Sequence, residues 1–495
     1  MKRNLVLSII FLLVFTTACE DFLDNPPRGY LTTGSFPTSK EDAELATNGV
    51  YNTMRIWNFH SGGFPILDVM SDEALKGSNP GDGTFLRAYE NFTFEPTEGS
   101  FNRWWSTLYQ GIRRAHIVIE NVPGIDMDEA LKARLIAEAR FLRGFYYFEL
   151  VKAFGDVPKV VSTDPPSSLP RSPKEEIYQE IIIPDMEHAA DILPFRSGYN
   201  TSNLGRITKG TARGMLAKVY LFRKDFETAA DYALQVIESG EYELQPDFSD
   251  VFDVNKPFGS GSLLEVGAVP ESNYFNGGNQ YANTWGVRGE PNLGWGFGRP
   301  AYEWIESFEE DPRMDATVLF VDETIEGITI LGDDSTPDTT YSDENPDEIV
   351  QVECYNQKTF APGSEPRYSY GVNRMMLRYA DVLLMAAEAL NETGQSAEAL
   401  PYLNQVRERA RGDNPDVLPD ITTTDQTELR DIIIEERHRE LALESHRYFD
   451  LVRTGKAAEV LGEYGFVEGK HELLPVPQNA IDMSEGMIKQ NEGYN

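Results

Sequence analysis

Apolar positions along this chain recur mostly at helical spacing. Between Glu129 and Phe154, the residues Leu131, Leu135, Ala139, Leu142, Tyr146 and Leu150 follow one another at steps of four, four, three, four and four, so they line one face of an α-helix. Asp126 or Asp128 supplies the side-chain oxygen that caps such a start. Similar stripes predict helix over 41–57, 104–120, 174–192 with a kink at Pro184, 209–238, 374–410 and 429–461. Helix dominates both ends, and the expected fold class is mainly α.

Two of these stripes match each other. A shift of 169 positions lays Ala217 on Ala386, Leu221 on Leu390, Ala230 on Ala399, Leu234 on Leu403 and Ile237 on Val406 without a gap. Each predicts a helical hairpin in which small residues let two helices approach closely, with turns at Lys224-Asp225 and Thr393-Gly394-Gln395, as in tetratricopeptide repeats. Their wide separation predicts a scaffold interrupted by something else. The pattern changes from Asp247 to Asn373, where Gly, Pro, Asn, Asp and aromatics replace the stripes, with short strand-like runs at 262–269 and 317–321. The expected organisation is a signal peptide (1–18), an N-terminal helical half (19–246), a loop-rich insert with short strands (247–373) and a C-terminal helical half (374–495). Gly155 to Pro173, with five prolines, predicts a surface connector.

The N-terminus predicts an address. Lys2 and Arg3 precede an apolar run from Leu5 to Phe15, then Thr16, Thr17, Ala18 and Cys19, which is the layout of an export signal too short to span a bilayer. Cleavage before Cys19 leaves a cysteine open to lipid modification, although Thr16 stands where a lipobox usually has Leu; a plain secretory signal is the competing reading. The net charge of −36 becomes −38 once Lys2 and Arg3 are removed. Such a surface repels nucleic acid and anionic headgroups, so membrane attachment falls to the lipid. Cys354 is the remaining cysteine, which excludes a disulfide framework.

Six blocks in order carry a family resemblance: CEDFLDNPP from Cys19, AEARFLRGFYYFELVKAFGDVP from Ala137, GRITKGTARGMLAKVYL from Gly205, LRYADVLLMAAEALNETGQ from Leu377, EERHRELALESHRYFDLVRTG from Glu435, and LLPVPQNAID with QNEGY at Gln490. Together they resemble the SusD/RagB family of outer-membrane nutrient-binding lipoproteins. The resemblance implies a tetratricopeptide-like scaffold carrying a ligand-binding insert, polysaccharide or oligosaccharide capture at the cell surface, and a SusC-like TonB-dependent transporter as partner, over which the lipoprotein acts as a lid. Peptide capture, as in the RagB branch, is the alternative within binding, and a surface glycan hydrolase or lyase is the competing class. In the Glu435 block, spacings of four and three predict helix-surface pairs Glu435–Arg439, Glu444–Arg447 and Asp450–Arg453. The terminal run 474–478 is expected to close the scaffold.

Enzyme and cofactor signatures are thin. Of six histidines only His438 and His446 stand near one another, eight apart and without a third ligand, so no metal site is expected. Acidic residues between Asp333 and Asp347 lack calcium-loop spacing. The glycines at 294, 296 and 298 lack a nucleotide-binding context, and no cofactor is expected.

A sugar site needs flat aromatics for C–H faces and amides, carboxylates or guanidinium groups for hydroxyls. The insert concentrates both in Tyr274, Phe275, Asn276, Tyr281, Asn283, Trp285, Arg288, Asn292, Trp295, Phe297, Arg299 and Tyr302, while Trp304 is expected in the core. A second candidate loop runs from Trp57 through Phe59, His60 and Phe64 to Asp72 and Glu73. Starch-binding members of the family place tryptophans after such an acidic pair, but Ala74, Leu75, Lys76 and Gly77 follow here, so the starch platform looks absent. Arg288, Arg299, Lys76 and Arg87 would suit a charged glycan, with internal ion pairing as the competing reading.

Overall fold

The computed structural model describes residues 36–269, 279–308, 310–337, 339–342, 345, 348–360 and 371–494. Cys19 lies outside them, as do Tyr274, Phe275 and Asn276. The main helices are α1 (Lys40–Arg55), α2 (Gly99–Asn121), α3 (Glu129–Phe154), α4 (Ile183–Ile192), α5 (Lys209–Phe222), α6 (Phe226–Ile237), α7 (Tyr379–Glu392), α8 (Ser396–Arg411) and α9 (Gln426–Leu441). Helix α3 starts where Asp128 accepts from the Leu131 N–H at 2.8 Å. Each helix packs on the next from α1 to α7, and α7 packs on both α8 and α9. The two hairpins that match in sequence, α5–α6 and α7–α8, are therefore neighbours, with α6 against α7. Ala217, Ala386 and Ala399 are fully buried at these contacts and Ala230 nearly so. The scaffold is interrupted along the chain and continuous in space.

Three expectations change. The stripe from Arg374 begins as a strand, Arg374–Arg378, antiparallel to the fully buried strand Ser262–Val266. Pairing with a buried strand outweighs the helix propensity of Met375, Met376 and Leu377. The stripe from Leu429 is cut after Leu441, because Leu443 and Ser445 adopt φ of 59° and 67° and turn the chain; helix resumes at Arg447–Thr454. Glu444 and Arg447 consequently do not pair: Glu444 binds Arg378 and Lys358, both at 2.8 Å, and Arg447 binds Asp72. The pairs Glu435–Arg439 (2.9 Å) and Asp450–Arg453 (2.7 Å) form as expected. Finally, the break near Pro184 lies just upstream, where 178–182 winds as a π-helix before the proline removes a backbone donor.

The strands among the described residues form six two-stranded ladders. The insert has a small core of its own around Trp285, Trp304, Phe308, Val318 and Cys354. A buried ion network fastens it to α9. Arg313, with no exposure, reaches Asp311 at 2.7 Å, Glu436 at 2.7 Å and Glu440 at 3.0 Å; Arg378 and Arg409 also meet Glu440, and Arg407 meets Glu436. The C-terminal run closes on the scaffold: the Leu474 N–H donates to the Ala153 carbonyl at 2.8 Å and that of Gln478 to Pro96 at 2.9 Å.

Candidate functional site

The two stretches singled out by their aromatics meet. Strand Ala74–Gly77, which follows the Trp57 loop, pairs antiparallel with Phe297–Pro300 of the insert, so Leu75 faces Arg299 and Gly77 faces Phe297. This ladder brings Trp57 and Trp295 edge to face at 5.9 Å. Phe64 stands 5.3 Å from Trp57, 6.3 Å from Trp295 and 5.6 Å from Phe297, and Phe85 adds a fifth aromatic side chain 5.1 Å from Phe64. Trp57, Phe64 and Trp295 are half-buried, Phe85 is exposed, and Phe297 is buried beneath them. The patch depends on glycine. Gly62 and Gly63 take φ of 79° and 102°, and a Cβ at Gly63 would lie 2.8 Å from the Trp57 ring.

Most of the remaining sequence candidates are buried or paired within the protein. Trp285 is 1% exposed and packs in the insert core, where its ring fills the space beside Gly298. Asn283 and Arg299 are also buried. Trp304 is a core residue, packed on Phe308 at 4.8 Å. Asp72 forms a two-pronged pair with Arg447 at 2.8 and 2.7 Å. Burial would raise its carboxyl, but the Arg447 bonds prevail and hold it below the usual range.

His60 and Tyr281 are buried together, 4.9 Å apart, with the Arg374 guanidinium 4.2 Å over the Tyr281 ring and bonded to His60 Nδ1. Burial, then Arg374, push the His60 imidazole well below its usual value. Tyr281 and Ser445 both donate to Asp68, whose carboxyl burial pushes up to about 6 against the pull of Ser445 and Arg374. These groups staple the first loop, the short helix Gln280–Trp285 and the turn at Ser445 to one another.

The cations near the patch are mostly engaged. Arg288 lies between Asp82 (2.5 Å) and Asp333 (2.6 Å) and donates to Ser78. Lys76 donates to the carbonyls of Gly77, Asn79 and Asp82. Arg87 is exposed. The internal pairing weighed from the sequence thus accounts for Arg288, and carbonyl bonds for Lys76.

Sequence reasoning missed Phe85. Its signal is an aromatic two positions after the polar turn Gly81-Asp82-Gly83, where no stripe calls for a core residue. Among the described residues no three His, Cys, Asp or Glu side chains group to hold a metal ion, and no helix is long and apolar enough to cross a membrane. In chemical terms the patch offers ring faces for stacking.

Comparisons with known proteins agree with this architecture. A profile described as "SusD family" matches residues 268–494, and one described as "Starch-binding associating with outer membrane" matches 69–221. The SusD-like protein P2 of Formosa agariphila is 31% identical over 100% of both chains. The starch-binding protein SusD of Bacteroides thetaiotaomicron is 25% identical over 87% of this chain and 91% of that one. Among solved structures, a laminarin-binding SusD-like protein superposes with a TM-score of 0.76 at 30% identity, covering 92% of this chain and 100% of its own. A SusD homolog from Bacteroides thetaiotaomicron gives 0.80 at 27%, covering 93% and 98%. With a full-length relative at this identity and the same helical scaffold, the chain belongs to the SusD family.

Proposed function

We propose that the protein binds a neutral polysaccharide or its oligosaccharides on the patch formed by Trp57, Phe64, Phe85 and Trp295, without covalent chemistry. The observation that carries this reading is the convergence of two sequence-distant loops into one partly exposed aromatic surface. Sugar rings stack on such faces. The engaged state of Arg288 and Lys76 favours an uncharged glycan over a uronic or sulfated one. The laminarin-binding relative makes a β-glucan of that type the first ligand to test. In this reading a lipid on Cys19 holds the protein at the outer membrane, and the bound glycan passes to a SusC-like TonB-dependent transporter.

Calorimetry of the chain lacking residues 1–18 against laminarin, starch and alginate tests the ligand class. A stacking contact contributes about 0.5–1.5 kcal/mol beyond burial, so Trp57→Ala and Trp295→Ala should each weaken laminarin binding roughly 2- to 12-fold. Unaltered affinity in the double variant, or preferred binding of alginate, would overturn the proposal.

A further inference from the structure

A second feature lies within the scaffold, beside the strand Arg374–Arg378 that follows the insert. There the first loop, α3, α5, the strand Arg374–Arg378 and the turn at Ser445 enclose a void of about 40 Å³, enough for a few waters or one small ion. Its apolar wall includes Trp104, Phe145 and Met215. Its polar lining carries three cationic heads, Lys152, Lys218 and Arg374.

Two of the three cations are paired, and Arg374 is not in contact with a carboxylate among the described residues. Lys152 is answered by Glu149 at 2.7 Å, and Lys218 by Asp381 at 3.0 Å, a carboxylate already shared with Arg437. Glu444, the other carboxylate of the lining, is taken by Arg378 and Lys358. Arg374 has no carboxylate within ion-pair distance among the described residues; its contacts are His60, Ser445 and the Tyr281 ring. Asp68 feels its charge but is spent on Ser445 and Tyr281.

Donors are also in surplus. A guanidinium carries five N–H groups, and two nitrogens of Arg374 are engaged. The His446 Nδ1 accepts from Lys218 at 3.2 Å, which leaves the hydrogen of the neutral ring on Nε2. His60 Nδ1 likewise faces Arg374, leaving its Nε2 as a donor. A half-buried guanidinium with no carboxylate in contact, lining a small space beside two ammonium heads, favours an acceptor-only occupant.

We infer that this void is a binding site for one small inorganic anion, of halide size, held by Arg374 and Lys218. The anion compensates the guanidinium and ties the loop bearing Trp57 to the turn at Ser445. The site stands apart from the glycan reading and fails or holds independently of it.

Crystals of the chain grown in bromide, with data at the bromine absorption edge, test the site directly. The expected result is an anomalous peak in the void within contact of the Arg374 guanidinium and Lys218 Nζ. Bromide on the surface alone, with only water in the void, would overturn the inference. Thermal unfolding at matched ionic strength gives a second reading. The melting midpoint should stand about 2 °C or more higher in chloride than in gluconate, which is too large for the void, and Arg374→Gln should erase the difference. A difference that survives in Arg374→Gln is a general salt effect and counts against the site.

Discussion

Replacing Arg313 by Met probes how the insert is held. The guanidinium is fully buried, and Met preserves much of its length while removing every donor. The loss is uneven across its three carboxylates. Glu440 keeps Arg378 at 2.8 Å and Arg409 at 2.5 Å, and Glu436 keeps Arg407 at 2.7 Å. Asp311 keeps the backbone N–H of residue 313 at 3.0 Å and, among the described residues, Arg439 at 4.0 Å as its remaining cation, so its charge is left poorly compensated in a site closed to water. Removing one partner of a buried pair costs about 3–5 kcal/mol, because the remaining charge stays desolvated. With an unfolding entropy of about 2.1 cal/mol/K per residue, a chain of this length loses roughly 1 °C of midpoint per kcal/mol, so a fall of about 3–5 °C is expected. Scanning calorimetry measures it. Adding Asp311→Asn should recover about half, since the stranded charge is then gone. A fall under about 1 °C, or a double variant worse than the single one, would refute the argument that Asp311 bears the cost.

Three further outcomes follow from particular side chains. Trp285→Ala should lower stability by about 3–5 kcal/mol, read by urea unfolding, because the ring is buried in the insert core; a loss of glycan affinity at unchanged stability would instead make it a ligand residue. Gly63→Ala forces a Cβ into the Trp57 ring from a φ of 102°, so it should weaken glycan binding and cost more than about 1 kcal/mol, whereas unchanged calorimetric affinity would detach Trp57 from the site. Asp68, held at about 6 against an unfolded value near 3.9, gives stability that is full below about pH 4 and is lost as pH rises through 6. Asp68→Asn should remove that slope between pH 4 and 6 in a series of melts, and a slope that persists would place it on another group. Glu444, held at about 2, acts in the opposite sense and only below about pH 4.5.

The scaffold was legible because its signals are local. The stripe from Leu131 to Leu150 and the cap at Asp128 are written within a single helix, and the 169-residue match needed only two aligned hairpins. The stacking of those hairpins was not legible, since nothing in either one states what lies against it. The same limit explains the strand at Arg374 and the turn after Leu441. Both arise from partners more than sixty residues away, namely Ser262–Val266 for the strand and, for the turn, Asp68, Asp72 and Glu73. For the site, composition pointed to the two stretches that meet in the aromatic patch but could not sort faces. Trp285 and Trp295 read alike in a Gly-rich stretch, yet the first packs in the insert core and the second stays half open beside Trp57.

The ladder between Ser262–Val266 and Arg374–Arg378 has a consequence for how such a molecule can change. The two ends of the insert are clasped side by side, so the length of chain between them can vary without parting the scaffold. Closing a longer or shorter loop across a fixed gap alters the free energy only by about 0.6 kcal/mol per doubling of length. A cassette running from Gly267 to Asn373 could therefore be exchanged wholesale, with new rings and a new appetite, while the helices behind keep their register. Among the terms the newcomer must honour are a cation at the place of Arg313, to meet the acids waiting on α9, and one at the place of Lys358, to meet Glu444.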